Sequence, residues 1–362
     1  MRRAWGHVLA VTAALALAAG AASAQTPAAD GRRWEVEAFG GLSLFELPSG
    51  GTAALPPAGS PLTTSGPANP SRRVPTWFLG DGAGLLNGVN AEFGVAGRIT
   101  PLDGALASLG LSGANAPAFG LRLRRRLSNR LDVEVSADVL PGSRELSAGL
   151  VDAVETTRAS FQSAFAGLLS SGPFTAVAVS ATASMANQSS RELATTAALR
   201  WSVSSGRIRP SITLGGGLVH QIGDLPSVTL TGSYRFQILG TVPISETDTL
   251  RLRYEQGSAL VGLLGAGVRG TLSDRLGWTL DGRVLLGQQT LTLRLDSEPA
   301  VTTGTPAGFI ESFTTPAIQF SNNTSTGRES SLSGTPLTGF RAFTTSGLQT
   351  RYLVTAGLVV KF

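Results

Sequence analysis

The 362 residues include no cysteine and only two histidines, which excludes disulfides and thiolate chemistry and leaves too few ligands for a metal centre. The formal net charge of +5 includes the N-terminal arginines, and the sparse basic residues alternate along extended segments instead of lining a helix face, so nucleic acid is not indicated as a partner. With 45 glycines, 15% charged residues and a mean hydropathy of +0.16, the chain is apolar and glycine-rich without any apolar run of bilayer-spanning helix length after its first segment.

That first segment reads as a secretory signal peptide. Arg2 and Arg3 are followed by an apolar run from Val8 to Ala19 and by the small-residue site Ala22-Ser23-Ala24. Cleavage is expected after Ala24, leaving residues 25–362 as one domain.

Trp34, Val36, Ala38, Gly40, Leu42 and Leu44 then alternate with Glu35, Glu37, Phe39, Gly41, Ser43 and Phe45, the period of a two-faced strand. Residues 47–114 read as a long loop, in which Val89 to Ile99 is ambiguous between strand and helical turns. The clearest hairpin spans Ala118 to Val139. Phe119, Leu121, Leu123 and Leu127 alternate with Arg122, Arg124 and Arg126, and after Ser128-Asn129-Arg130 the residues Leu131, Val133, Val135 and Ala137 alternate with Asp132, Glu134, Ser136 and Asp138. Arginines thus oppose carboxylates on neighbouring strands. Arg125 interrupts the apolar face.

A second long loop, about 140–190, carries an amphipathic helix near 143–170: Leu146, Leu150, Val154, Phe161, Phe165 and Leu168 recur at helical spacing, with Ser143 as a cap. Strands follow around Leu193–Val203, Ile208–Leu218 (bent at Gly215-Gly216-Gly217), Val228–Ile238, Leu250–Glu255, Gly262–Leu272 and Leu276–Leu286. In Leu250–Glu255, the charges Arg251, Arg253 and Glu255 oppose Leu250, Leu252 and Tyr254. After Gln288 the apolar parity shifts to Leu291, Leu293 and Leu295, which predicts a bulge. Residues 296–346 read as a third long loop.

The last strand places Tyr352, Val354, Ala356, Leu358, Val360 and Phe362 on one face. An alternating segment of about ten residues ending in Phe resembles the closing strand of bacterial outer-membrane β-barrels. The resemblance rests on Tyr352, Leu358, Val360 and Phe362, which in that family form the signal read by the barrel-assembly machinery. It implies a transmembrane antiparallel up-and-down barrel in the outer membrane of a Gram-negative cell, porin-like but small, with no periplasmic domain. Ten strands are counted, with eight or twelve as alternatives. Lipid and lipopolysaccharide would meet the apolar faces, and Arg122, Arg124, Arg126, Asp132, Glu134, Arg251, Arg253 and Glu255 would neutralise one another in the lumen. Short turns would lie on the periplasmic side, setting Trp34, Trp201, Trp278 and Phe362 in one aromatic girdle.

A structural, adhesive or narrow-pore role follows, with no catalysis or cofactor expected and the oligomeric state open. Two other readings stand beside it. One is an outer-membrane hydrolase of lipid A or surface peptides around His220, with Ser211, Ser227 and Asp224 near in sequence. The other is a secreted soluble β protein. Gly80-Asp81-Gly82-Ala83-Gly84 lacks the lysine of a phosphate loop and reads as a turn.

Overall fold

The computed structural model describes residues 34–62, 71–113, 115–141, 144–186, 190–238, 243–304, 308–310, 318–323 and 327–362. The signal peptide and the Ser143 cap lie outside them. In chain order the elements are β1 (Trp34–Glu46), β2 (Thr52–Ala53), α1 (Gly80–Glu92), α2 (Asp103–Leu106), β3 (Leu111–Gly113), β4 (Ala116–Arg126), β5 (Leu131–Pro141), β6 (Arg144–Leu146), α3 (Ala148–Ser170), β7 (Phe174–Ala186), β8 (Arg191–Ser202), β9 (Ile208–Ile222), β10 (Ser227–Ile238), β11 (Ile244–Gln256), β12 (Ala259–Thr271), β13 (Leu276–Ser297), β14 (Gly308–Ile310), β15 (Ile318–Phe320) and β16 (Phe340–Lys361).

Eight strands close a ring. Antiparallel pairing runs β1–β4–β5–β8–β9–β12–β13–β16, and β16 returns to β1 with Val36 opposite Val360 and Leu42 opposite Val354. Closure leaves these strands no free edge. The turns at one end are short. Leu127–Leu131 and Leu272–Leu276 repeat the same hydrogen bonds, and in each the serine hydroxyl, Ser128 or Ser273, accepts from the backbone N–H three residues on at 3.1 Å. Every long insertion leaves from the opposite end, between β1 and β4, β5 and β8, β9 and β12, and β13 and β16.

The expected count of ten is therefore corrected to eight. β10 and β11 form the hairpin of a further insertion, in a sheet β13–β11–β10–β7 that continues β13 beyond the ring. Their apolar rows face helices. Val228, Leu230, Tyr234, Phe236, Leu250 and Leu252 are buried in one core with Phe161 and Phe165 of α3, and Phe165 stacks on Tyr234 with ring centroids 4.3 Å apart. Burying these rings stabilises the lobe by about 1.5–3 kcal/mol each. Alternation makes one face of a strand apolar without saying what covers it, and here a helix takes the place expected for lipid.

Other expectations are also revised. Val89 lies in α1, and Gly80 to Gly84 form the first turns of that helix instead of a loop turn. The second helix begins at Ala148, capped by Ser147, whose side chain accepts from the Leu150 N–H. Leu146 belongs to β6 and pairs with Leu111. β9 runs unbent through Gly215 to Gly217, where Gly215 and Gly217 lie against the backbone of β8 with no room for a Cβ. No bulge falls at Gln288. Register holds to Leu293 and shifts between Leu293 and Arg294. The inward face simply changes from polar to apolar as β13 leaves the ring and enters the lobe. Among the described residues no helix is long and apolar enough to cross a membrane.

Candidate functional site

The ring is inverted relative to a water-soluble core. On its outer surface Leu121, Leu214, Leu260, Leu264, Leu280, Val354 and Leu358 are all exposed, Leu260 by 78%. On its inner surface Glu37, Arg122, Arg124, Glu134, Arg200, Asp281 and Arg283 are all buried. An eight-stranded ring has an interior just wide enough for side chains to fill.

These inner groups form one network at mid-height. Arg122 Nη1 donates to Glu37 Oε1 at 2.7 Å and to Asp281 Oδ2 at 2.9 Å. Arg124 Nε donates to Glu134 Oε2 at 2.6 Å, and Arg124 also pairs with Glu37. Arg283 Nη1 lies 2.6 Å from Glu134 Oε1, and Arg200 Nη2 lies 3.3 Å from Asp281 Oδ1. Thr279 donates to Glu37, and Thr355 accepts from Arg122. The Arg122 guanidinium also sits 3.8 Å from the centre of the Phe39 ring. Each carboxylate bridges at least two guanidiniums, those of Glu134 and Asp281 from different strands, which offsets the desolvation of both signs.

Toward the short-turn end, Glu35 receives Arg126 at 3.3 Å and Arg269 at 2.5 Å, and Asp132 stands opposite Arg126 across the β4–β5 pair. At the other mouth, Glu192 pairs with Arg351 and, at 3.0 Å, with Arg144 of β6.

Arg251, Arg253 and Glu255 do not join this network. They lie with exposed side chains on the far face of the lobe sheet, where Arg251 meets Glu298, Arg253 meets the buried Asp296, and Glu255 meets Arg294, each at 2.6 Å. The physical reason is the one that moves β10 and β11 out of the ring: their opposite face is buried against α3, so the charged face meets water. Asp281 and Arg283 are visible as charges on an alternating strand. Arg200, Glu192 and Arg351 have the same signal on β8 and β16. Arg144 has none, being a single arginine in an insertion.

Trp34, Trp201 and Phe362 are exposed at the short-turn end of the ring, and Trp278 lies there half-buried. Arg125 points outward over Trp34, 5.3 Å from the ring centre. Tyr352, Leu358 and Val360 occupy the outer row of β16 with Phe362 following.

His220 lies on the outer face of β9 near the insertion end. Its Nδ1 is 2.8 Å from Ser258 Oγ, and no carboxylate bonds the ring among the described residues. Ser211 instead accepts from Arg200 inside the ring, and Ser227 pairs with Arg253 and Ala186 in the lobe. Asp224 sits in the exposed turn after β9.

The lobe buries two acids of its own. Asp248 Oδ2 accepts from the Trp77 N–H at 2.6 Å and from Thr76 Oγ1 at 2.9 Å. Burial pushes its carboxyl up to about 7. Glu246 accepts from Tyr234 Oη and, at 2.7 Å, from the Ser321 N–H, and burial raises its pKa too. Two separate insertions are thereby fastened to one hairpin.

No family model matches the sequence, and no curated protein matches it. Among solved structures, the crystal structure of the outer membrane protein OprG from Pseudomonas aeruginosa is similar with a TM-score of 0.37 and 9% identity, over 91% of this chain and 97% of that one. A likeness of that size carries nothing further for this chain.

Proposed function

We propose that the chain is a bacterial outer-membrane β-barrel whose lumen is sealed by ion pairs and whose work lies in the lobe it holds at the cell surface, a structural or adhesive role. The observation that carries this is the inversion of the ring. Large aliphatic side chains exposed on seven of the eight ring strands would cost roughly 25 cal/mol per Å² in water and nothing in hydrocarbon. Inside, buried guanidiniums and carboxylates occupy the space a solute would need.

In this reading the N-terminal segment is removed after Ala24, and the short-turn end faces the periplasm with Trp34, Trp201 and Trp278 at the interface. The final strand presents Tyr352, Leu358, Val360 and Phe362 to the assembly machinery. Lipopolysaccharide borders the opposite rim. Membrane fractionation followed by detergent gels tests the assignment: an outer-membrane band that migrates faster unheated than boiled is expected. Recovery in the soluble fraction without detergent would refute it. In planar bilayers, single-channel conductance comparable to that of wide porins would refute the sealed lumen.

His220 supports a second reading. A histidine bonded to a serine hydroxyl on the hydrocarbon-facing surface is placed to attack a lipid ester. Loss of phospholipid or lipid A hydrolysis in His220→Ala and Ser258→Ala would favour it; unchanged lipid profiles would remove it.

A further inference from the structure

The lumen charges fall into layers, and at one of them, among the described residues, two buried arginines meet a single carboxylate. At mid-height Arg122, Arg124, Arg200 and Arg283 are bridged by Glu37, Glu134 and Asp281, so that every arginine meets at least one carboxylate that it shares with another arginine. At the mouth under the lobe, Arg144 and Arg351 both pair with Glu192, and among the described residues no ion pair joins either arginine to a second carboxylate. Two positive groups face one negative group, all three almost wholly buried. An uncompensated buried charge costs several kcal/mol, so a fold that keeps one needs a counter-charge.

The neutral groups around this cluster are turned to supply donors. Gln221 and Gln289 give their amide oxygens to Arg144, at 3.3 and 3.1 Å. Those bonds commit both amide oxygens to Arg144, so each Nε2 is left as a donor, and neither finds an acceptor. Arg144 Nε and Arg351 Nη2 are buried without an acceptor as well. Both guanidiniums lie over the Phe45 ring, at 4.9 and 4.6 Å from its centre, which holds two like charges side by side.

We propose that the outer mouth of the barrel binds one small monovalent anion, of halide or carboxylate chemistry, between Arg144 and Arg351 with the Gln221 and Gln289 amides as donors. The anion balances the layer and ties the lobe, through Arg144, to the ring. Bound there, it couples the anion content of the medium to the docking of the lobe.

The test uses the full chain in detergent with bromide as the probe. Crystals grown in sodium bromide are expected to show an anomalous peak in contact with Arg351 and Gln289. Replacing bromide by gluconate at constant ionic strength is expected to lower the unfolding temperature. Glu192→Gln raises the excess charge and should bind bromide about tenfold more tightly, whereas Arg351→Gln should lose the bromide dependence. The proposal is overturned if the wild-type peak is missing and unfolding is identical in both salts, or if Glu192→Gln fails to bind bromide more tightly. It is overturned equally if Arg351→Gln keeps the full effect. Should Arg351→Gln not fold, the wild type and Glu192→Gln decide the matter.

Discussion

At the scale of single residues, Glu134 shows how the lumen is held. It takes Arg124 and Arg283 at 2.6 Å each, and both guanidiniums are buried. Glu134→Ala would leave Arg124 with Glu37 and Arg283 with only the more distant Asp281, at 3.5 Å, at a cost of about 3–5 kcal/mol, read as a lower urea midpoint of the refolded protein. Asp248 gives a pH dependence outside the ring. Its folded pKa of about 7 stands above the ordinary 3.8, so the folded lobe binds the extra proton between those values. The contribution of Asp248 to stability is therefore greatest below pH 4 and falls as pH rises to 7, by roughly 4 kcal/mol in all, then levels off. Amide exchange in β10 and β11, corrected for intrinsic rates, should show weaker protection at pH 8 than at pH 5. Asp248→Asn keeps an accepting oxygen and should remove most of that difference, leaving the share due to Glu246.

At the scale of elements, β13 and β16 are each 22 residues long and serve two environments. Up to Gln289 the inward row of β13 carries Thr279, Asp281, Arg283 and Gln289, with Leu285 among them, and the outward row carries Leu280 and Leu286; beyond it Leu291, Leu293 and Leu295 turn into the lobe while Thr290 and Arg294 face out. The chain has no cysteine of its own. Thr290→Cys and Arg294→Cys are expected to react with an impermeant maleimide on intact cells, and Leu280→Cys and Leu286→Cys to stay unlabelled. The faces of these strands were legible because alternation is a local property. The medium beyond each face was not, and β10 and β11 are where that mattered: Leu230 and Leu252 carry the same signal as Leu121 yet are buried in the lobe core with Phe161 and Phe165. β7 does not stand out from loop in the sequence, because Ala, Ser and Thr in Phe174–Ala186 give alternation no contrast. The buried face of α3 was legible from Leu150, Val154, Phe161, Phe165 and Leu168. Phe165→Ala should cost the lobe about 3–5 kcal/mol while heat-modifiable migration of the barrel persists.

At the scale of the molecule, a closed ring whose side chains are turned inside out carries a lobe with a conventional core at one end. Short turns at one end and insertions at the other could be seen in the sequence, since turn residues mark themselves. The strand count could not, because it depends on which partner each apolar row finds. Nitroxide spin labels at 121, 214, 264, 280 and 354 in the protein reconstituted into bilayers test the central claim most directly. High collision rates with oxygen and low rates with a water-soluble nickel chelate are expected at all five, reversing at the solvent-facing lobe positions 235 and 253. Nickel access at the five ring positions equal to that at 235 and 253 would contradict it.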